Sequence, residues 1–362
     1  MDHKAGDKLF LWLAALLLTL FGIGLALFPC PVYSERENRM LATFPTPQPS
    51  TLLDGSFTGA LETYAAERIP AKELLRSLHA TTELLLWKRE ANGVILGKGG
   101  TLLRRIPTDE RVFAQNISSL QKLGEALEVP LHVCVAPRRI DAREAELPHC
   151  YARSAEQALW DALPEGTLTL PDCNAPGDWF CTDHHWTMQG AYVAYTKLGK
   201  ALGYTPLPTD AFYEETVSER FYGTSHAAAG IPFIPPDRIT LRLRGDEGEY
   251  RVKRDGEPAT FHGFYDLSKL SVRDQYAVFL GGNCGVLEID RGEGDTRPVL
   301  LVIKDSFANA LLPYLARHYR ILAVDPRYTA SLSEYAEQAQ AALLLCGMQT
   351  LTQGRFLPTH RK

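Results

Sequence analysis

The first thirty residues differ from the rest of the chain in their hydrophobic pattern. Residues 9–28 form a run of twenty residues without a charge, and a helix of that length spans the roughly 30 Å hydrocarbon core of a bilayer. The run is apolar on every side of the predicted helix, which favours a membrane segment over a buried helix of a soluble domain. We therefore expect residues 1–30 to be an N-terminal membrane anchor.

A cleavable signal sequence is the alternative for the same segment. No small-residue cleavage site follows the run, and Pro29 stands where a lipoprotein signal would have a small residue before the cysteine. These features favour a retained anchor. The flanking charges leave the orientation open, because Lys4 and Lys8 precede the span while Arg36 and Arg39 follow it closely.

Residues 31–109 are predicted to be a juxtamembrane and helical lead-in. Apolar residues share one helical face around 57–65, and a second helix is predicted over 71–88. Segment 94–103 has a short apolar run on each side of a glycine-rich turn, which predicts a β-hairpin.

From residue 110 onward, predicted helices and strands alternate. Helices are predicted at 110–128, 154–163, 191–202, 307–317 and 331–340, and strands at 131–136, 167–170, 299–304, 321–324 and 342–346. The strands are short continuous apolar runs, which are typical of a parallel sheet with helices on both faces. We expect one α/β domain over 110–352. A Pro- and Gly-rich β insertion is expected at about 205–295, with strand candidates at 239–243, 250–253, 277–280 and 286–289.

Composition narrows the class of protein. The 362 residues are 45% hydrophobic and 22% charged, which is typical of a globular chain, and the net charge of −5 offers no basic surface for nucleic acid. The seven cysteines form no CxxC pair and have no zinc spacing. Cys173 and Cys181 flank a turn-rich stretch, so a disulfide between them stays open if the compartment is oxidising.

Two separate segments carry candidate chemistry. Ser306 directly follows a predicted strand and opens a predicted helix, which places it at the strand ends where open parallel sheets bind ligands. Asp183 stands two residues before His185, so in an extended loop both side chains point the same way. That arrangement lets a carboxylate hold an imidazole while the other ring nitrogen faces a serine. His184 points the opposite way and is less suited to act as the base.

Plainer interpretations of the same residues exist. Ser306 or Asp305 can simply cap a helix, and Asp183 with its neighbouring histidines can be structural polar groups beside Trp186. A metal site is a weaker alternative, because adjacent residues rarely chelate together and no further ligand motif accompanies them. We expect a site without a metal or another cofactor.

Beyond these local patterns, the chain resembles a known family. The segments TDHHWTMQGAY, KDSFANALLPYLARHY and VDPRY resemble the bacterial DHHW protein family, a branch of the SGNH-hydrolase-like proteins that includes the alginate O-acetyltransferases. Further similar segments are SERENRMLATFP, DGSF, GVILGKGGTLL, VPLHVCVAPRR and FYGTS. Together they cover roughly residues 33–350.

The resemblance implies an SGNH-hydrolase-like (flavodoxin-like) α/β domain on the outer side of the cell membrane, held by a single span. It implies transfer of acetyl groups to a cell-surface polysaccharide, with a membrane-bound O-acyltransferase as partner. Carried onto this chain, Ser306 is the nucleophile, His185 the general base and Asp183 the residue that orients it. An acetyl esterase of the same geometry remains open, because only the acceptor differs.

The oxyanion donors do not transfer by motif, because Lys304 stands where ordinary SGNH enzymes have a glycine. Gly282 and Asn283 follow a predicted strand and are candidates for an oxyanion donor, with a plain turn as the alternative. Arg139, Arg327 and Tyr328 follow strand ends, and we expect them to line the site or to be solvated surface residues. A non-catalytic glycan-binding or assembly scaffold that keeps this fold is the alternative to an enzyme, and a metal-dependent hydrolase is a weaker one.

Overall fold

A computed structural model describes residues 3–27, 32–34, 39–69, 71–151, 157–170, 173–257, 260–329 and 332–357. The chain forms two compact units. The first comprises Met1–Lys88 with Gly230–Pro232, and the second comprises Arg89–Ala229 with Phe233–Lys362. The predicted boundaries at residues 31 and 110 differ from this division, which lies near residue 88, and they stay predictions.

The α-helices fall into both units. In chain order they are α1 His3–Leu27, α2 Pro49–Leu53, α3 Ser56–Glu67, α4 Lys72–Leu85, α5 Glu110–Ala126, α6 Arg139–Ala142, α7 Gln157–Asp161, α8 Met188–Leu202, α9 Thr224–Ala229, α10 Leu312–Leu315, α11 Ser333–Ala336 and α12 Met348–Gln353. Within α1, Gly6–Gly24 is long and apolar enough to cross a membrane. By length and composition a signal sequence fits this helix equally well.

The described β-strands of the first unit are short, and those of the second form one large sheet and two smaller ones. In chain order they are β1 Tyr33–Ser34, β2 Arg39–Met40, β3 Glu90–Ala91, β4 Val94–Leu96, β5 Leu102–Arg104, β6 Leu131–Ala136, β7 Tyr213–Phe221, β8 Asp237–Leu243, β9 Arg251–Arg254, β10 Phe261–His262, β11 Val286–Asp290, β12 Val299–Lys304, β13 Arg320–Val324 and β14 Ala341–Gly347. Strands β3, β4 and β5 pair antiparallel, so the predicted hairpin is part of a three-stranded meander.

The central sheet has seven strands in the order β10-β9-β11-β13-β12-β14-β6. Strands β13, β12, β14 and β6 are parallel to one another, as the alternating pattern predicts. Strands β11, β9 and β10 extend the sheet antiparallel. The predicted parallel sheet is thus present in four strands, and the prediction is corrected at this edge, where the region predicted as an insertion outside the sheet supplies three antiparallel strands.

Helices and loops cover both faces of the parallel strands. Leu300 and Val302 of β12 belong to one core cluster, while Leu301 and Ile303 belong to the other. Because alternate residues of a strand point to opposite faces, a continuous apolar run is the pattern that such a buried strand requires. The two clusters place β12 at the centre of the domain, with its carboxyl end carrying Ser306.

Local signals explain α8, the helix that follows the DHHW segment. The Thr187 side chain caps it by accepting hydrogen bonds from the backbone N–H groups of Gln189 (3.1 Å) and Gly190 (3.3 Å). A Cβ at Gly190 would lie 2.2 Å from the carbonyl oxygen of Asp178, so only glycine permits this close approach. Gly203 ends the helix with a left-handed φ of 79°.

Several predicted elements differ from the structure. The strand predicted at 277–280 is a 3₁₀ helix, Gln275–Val278, followed by Leu280, Gly281 and Gly282 with φ of 58°, 76° and 92°. Left-handed backbone at three successive residues cannot continue a strand. The strand predicted at 167–170 is reduced to one parallel bridge, between Leu168 and Cys134.

The helix predicted at 307–317 is divided. A 3₁₀ helix, Ser306–Ala310, comes first, and α10 follows after Leu311. Pro313 lacks a backbone N–H and disfavours a helical residue before it, which explains why one regular helix does not form.

Two other helices are shorter than predicted. Helix α7 covers part of the range predicted at 154–163, and 154–156 lie outside the described residues. Helix α11 covers part of the range predicted at 331–340, of which residue 331 lies outside them.

The cysteines in the described part of the chain are all free. The disulfide left open between Cys173 and Cys181 is therefore absent from this structure. Cys173 is buried and its thiol faces the carbonyl oxygen of Gly190 at 3.7 Å. Cys181 is partly buried and has Arg139 as its polar neighbour.

Asn116 ties α5 to the C-terminal segment of the second unit. Its fully buried side chain donates to the carbonyl oxygens of Leu351 (2.9 Å) and Gly354 (2.8 Å) and accepts from the N–H of Phe356 (2.9 Å). We predict that Asn116→Ala lowers the free energy of unfolding by about 2–4 kcal/mol, because it leaves buried backbone groups without partners. Urea denaturation of the detergent-solubilised chain measures this, with the exposed Gln115→Ala on the same helix as control. Equal stability of the two variants would contradict the prediction.

Candidate active site

Ser306 stands at the carboxyl end of β12, where strand passes into helix. Asp305 caps the 3₁₀ helix, because its Oδ1 accepts from the N–H of Phe307 at 2.9 Å. Its Oδ2 accepts from the N–H of Gly347 at 2.8 Å and from the hydroxyl of Thr350 at 2.6 Å. The carboxylate of Asp305 thus joins β12 to the end of β14 and is fully used in fixing the turn, while Ser306 stays partly exposed.

The DHHW segment is held in an extended loop by groups from other elements. The partly buried side chain of Asp237, at the start of β8, accepts from the N–H groups of Cys181 (2.7 Å) and Thr182 (2.6 Å) and from the Thr182 hydroxyl (2.6 Å). Arg139 donates to the carbonyl oxygen of Asp183 at 3.2 Å. The loop backbone is therefore fixed on both sides of the residue that precedes the two histidines.

Asp183, His185 and Ser306 lie in one hydrogen-bonded line. The Nδ1 atom of His185 lies 2.6 Å from Oδ1 of Asp183, and Nε2 lies 2.8 Å from Oγ of Ser306. The carboxylate requires the proton on Nδ1, which leaves the Nε2 lone pair facing the serine hydroxyl. The structure thus brings together the three residues that the sequence singled out, across a separation of 121 positions between His185 and Ser306.

The second oxygen of Asp183 is also fully used. Oδ2 accepts from the N–H of Thr224 at 2.6 Å and from its hydroxyl at 2.9 Å. A Cβ on the preceding residue, Gly223, would lie 2.2 Å from the Cβ of Asp183 and 2.3 Å from Oδ2. Glycine at 223 is therefore what lets the backbone reach the carboxylate.

These contacts decide the protonation of the buried groups. Burial alone would raise the pKa of Asp183, but the charges of His184 and His185 and hydrogen bonds from His185 and Thr224 outweigh it and hold the pKa far below its usual value. Burial, together with the neighbouring charge of His185, lowers the pKa of His184 to about 3. Asp183 is therefore an anion and His184 a neutral ring at neutral pH.

Aromatic rings fix the plane of the His185 imidazole. Tyr276 stacks on it with ring centroids 4.0 Å apart and an interplanar angle of 6°, and Phe307 lies at 5.1 Å. Trp186 is buried beneath the site and donates its indole N–H to the carbonyl oxygen of Phe307 at 2.9 Å. This contact joins the DHHW loop directly to the helix that carries Ser306.

The same cluster contains groups that can ligate a metal ion. One ligand atom from each of Asp183, His184 and His185 lies within 4.8 Å of the others. However, Nδ1 of His184 lies 2.6 Å from the hydroxyl of Thr224, while Nδ1 of His185 faces Asp183. Both ring atoms are engaged in hydrogen bonds that chelation would have to break, so this donor set fits a proton relay better than a metal.

The two candidates from the LGGN segment differ in what they can offer. The N–H of Gly282 donates to the carbonyl oxygen of Phe279 at 3.0 Å, so it is not available to an oxyanion, and this part of the prediction is corrected. Asn283 is exposed, and its Oδ1 accepts from Nδ2 of Asn309 at 3.1 Å. The side-chain Nδ2 group of Asn283 therefore points away from Asn309.

The remaining candidates, Arg139, Arg327 and Tyr328, lie in different surroundings. The side chain of Arg139 is buried, donates to the loop backbone and lies 3.7 Å from the carboxylate of Glu146, so it supports the loop from behind instead of lining the site. Arg327 forms a two-point ion pair with Asp325, at 2.9 and 2.6 Å, at the carboxyl end of β13 beside β12. Tyr328 is 59% exposed and its ring lies under the Arg327 guanidinium. Arg327 and Tyr328 therefore lie just beyond the carboxyl end of β13, the neighbour of β12.

Sequence reasoning gave no role to Gly223, Thr224, Asp237, Tyr276 or Asn309. The first two lie in the FYGTS segment, whose resemblance to the family was the one signal available. Asp237 lies just before one predicted strand and Tyr276 just before another, so neither stands out by spacing. Their positions follow from tertiary packing.

The chain is similar to several known proteins. Residues 176–324 match the family model described as DHHW protein. The probable alginate O-acetylase AlgJ of Pseudomonas syringae pv. tomato is 26% identical over 243 residues, which is 61% of either chain. Its counterpart in Pseudomonas fluorescens is 22% identical over 247 residues, 62% of each. The chain thus spans about three fifths of the length of these curated relatives.

Solved structures show the same mixed α/β fold. A DHHW family protein from Eubacterium siraeum has a TM-score of 0.58 with 18% identity, over 75% of this chain and 98% of that one. PatB1 of Bacillus cereus has a TM-score of 0.59 with 18% identity, over 73% and 98%, and it has also been solved with a sulfonyl adduct. The resemblance predicted from the sequence is thereby confirmed: this chain carries a match to the DHHW protein family and is related to the alginate O-acetylases.

Proposed function

We propose that this protein is an extracytoplasmic O-acetyltransferase that modifies a cell-surface polysaccharide through an acetyl-serine intermediate. The observation that carries the proposal is the position of His185, between the Asp183 carboxylate at 2.6 Å and the Ser306 hydroxyl at 2.8 Å. The similarity to alginate O-acetylases supplies the reaction class. In this proposal Ser306 is the nucleophile, His185 the general base and acid, and Asp183 its orienter.

The first half-reaction forms the acetyl-serine. Ser306 Oγ attacks the carbonyl carbon of an acetyl donor while its proton moves to Nε2 of His185. The negative charge on the carbonyl oxygen is stabilised by N–H donors, for which the Asn283 amide is the candidate side chain. The intermediate collapses as the leaving group takes the proton from His185, and the enzyme holds an acetyl ester on Ser306.

The second half-reaction transfers the acetyl group. A sugar hydroxyl gives its proton to Nε2 of His185 and attacks the ester carbonyl, and collapse returns the proton to Ser306 Oγ. Water in place of the sugar gives acetyl esterase activity by the same steps. The ionised Asp183 stabilises the imidazolium in both halves, and its four hydrogen bonds keep it from turning away.

The proposed setting follows from the N-terminal helix and from the relatives. Helix α1 would hold an SGNH-hydrolase-like domain at the outer face of the cell membrane as a single-pass anchor. A membrane-bound O-acyltransferase would supply the acetyl group from inside the cell. Arg327 and Tyr328, beside the carboxyl end of β12, are the candidates for contacts with the polysaccharide.

A glycan-binding or assembly scaffold is the competing function. It would be favoured by a Ser306 hydroxyl turned into the helix cap and a His185 out of its reach. Instead the cap is supplied by Asp305, and Ser306 faces the imidazole. The contact geometry therefore supports catalysis over the scaffold.

We predict that Ser306→Ala abolishes acetyl transfer and leaves thermal stability nearly unchanged, because the hydroxyl is partly exposed and fills no cavity. The detergent-solubilised chain is incubated with 4-nitrophenyl acetate or an alkylsulfonyl fluoride and followed by intact mass and peptide mapping. One adduct on Ser306 is expected, and it should be lost in His185→Ala but kept in the control Ser271→Ala. An adduct on another residue, or turnover in Ser306→Ala, would contradict the mechanism.

We predict that Asp183→Asn lowers kcat about 10⁴-fold, the loss that the same change causes in serine-protease triads. The amide has one acceptor oxygen, so its NH₂ group must face either the backbone N–H of Thr224, which also donates, or the His185 ring, where it would favour the tautomer that cannot act as base. Release of 4-nitrophenol measures the rate, with the exposed Asp210→Asn as control. A rate within a few-fold of wild type would assign Asp183 a structural role only.

We predict that Gly223→Ala lowers kcat about 100-fold, because the added Cβ would overlap Asp183 and displace the carboxylate that positions His185. The control is Gly248→Ala, where an added Cβ meets nothing within 4 Å. The same assay, with a thermal melt of each variant, measures the effect. Unchanged turnover would show that the close approach of residue 223 does not matter for the site.

A further inference from the structure

Lys304 is a buried cation that the proposed mechanism does not use. It is the last residue of β12, two positions before Ser306, and is 1% exposed. Burying an ammonium group is costly unless polar partners compensate it. Burial lowers the pKa of Lys304, while the nearby charge of Asp325 acts in the opposite direction. A residue that imposes this cost beside a nucleophile calls for an explanation.

The direct partner of the ammonium is a side-chain amide. Nζ of Lys304 donates to Oδ1 of Asn309 at 2.8 Å. A lysine ammonium has only donors, so it selects the oxygen end of that amide. The nitrogen end of Asn309 must then point elsewhere, and Nδ2 donates to Oδ1 of Asn283 at 3.1 Å. The lysine thereby determines which way both asparagine amides are turned.

Asn283 is left with its Nδ2 group directed away from Asn309. Its backbone is held as well, because Arg254 donates to its carbonyl oxygen at 3.1 Å and the preceding residues have a left-handed backbone. Asn309 is three residues after Ser306 in the same 3₁₀ helix, and residues three apart share one face of such a helix. The amide of Asn283 therefore lies beside the face that carries Ser306.

We propose that Lys304 is a positioning residue, which through Asn309 turns the Asn283 amide so that its N–H group meets the oxyanion formed at Ser306. This role rests on the proposed acetyl-serine mechanism. An amide free to rotate would present its oxygen to the oxyanion part of the time. A chain of fixed donors and acceptors removes that orientation before the reaction begins.

Asn309→Asp is the sharpest test. The aspartate still accepts the hydrogen bond from Lys304, but it can no longer donate one to Asn283. A carboxylate at position 309 pairs with Lys304 but offers Asn283 an acceptor, so Asn283 must turn its nitrogen inward and its oxygen towards the oxyanion. We predict a 10²- to 10³-fold loss of kcat with little change in KM, as for removal of one oxyanion donor. The full chain in detergent is assayed with 4-nitrophenyl acetate.

Three companion variants separate the possible outcomes. Asn283→Ala should lose a similar factor, and adding Asn309→Asp to it should cost nothing more, since the group being turned is absent. Lys304→Met should lower kcat in the same way if it folds. The exposed Gln115→Glu on α5 is the control for an added negative charge.

The results distinguish this proposal from the one it rests on. Turnover that does not depend on Ser306 would overturn the acetyl-serine mechanism, and with it the positioning role of Lys304. If turnover depends on Ser306 but the kcat of Asn309→Asp lies within threefold of wild type, the positioning role of Lys304 alone would be overturned. An equal loss from Asn309→Asp with and without Asn283 would show that Asn309 acts on structure and not through the amide.

Discussion

The carboxylate of Asp183 joins segments of the second unit that are distant in the sequence. One oxygen accepts from the backbone and the ring of His185, and the other accepts from Thr224. The residue before Thr224 is Gly223, and a side chain there would overlap Asp183. An isolated buried carboxylate would be expensive, but four donors and two neighbouring imidazoles offset the cost and keep it ionised. The line from Asp183 to Ser306 has its geometry because this anion cannot move without leaving several donors unpaired.

The end of β12 imposes a second constraint. Within a few residues it contains a buried ammonium, a fully bonded carboxylate and the candidate nucleophile, in Lys304, Asp305 and Ser306. The strand itself is buried on both faces and tolerates no rearrangement of register, since its apolar residues supply both cores. The rigid strand thus fixes where the polar groups emerge, and each one bonds to a different neighbouring element.

Proteins of the same fold differ from this chain at most positions of the sequence. The similarity to PatB1 and to the Eubacterium siraeum protein covers most of the described chain at 18% identity, so the fold persists while most residues differ. The two curated O-acetylases match only about three fifths of their own length. The likeness to these relatives supports the reaction class proposed above, while the hydrogen-bonded line of Asp183, His185 and Ser306 supports the proposed acetyl-serine chemistry.

Much of the architecture could be read from local patterns. The continuous apolar runs of β12, β13 and β14 predicted buried parallel strands, and the spacing of Asp183 and His185 predicted one hydrogen-bonded pair. Helix α8 and the cap before it followed from residues within one turn of each other. These features depend on interactions over a few positions, which the order of residues fixes directly.

Other features depend on which distant segments meet, and the sequence alone left them open. The antiparallel strands at the sheet edge, the close approach of Gly223 to Asp183 and the bonds from Lys304 through Asn309 to Asn283 are of this kind. The free state of Cys173 and Cys181 is another. The sequence by itself determined most of the helices and parallel strands and the candidate residues. The tertiary structure decided their partners, because strand order and register place side chains more than a hundred positions apart within hydrogen-bond distance.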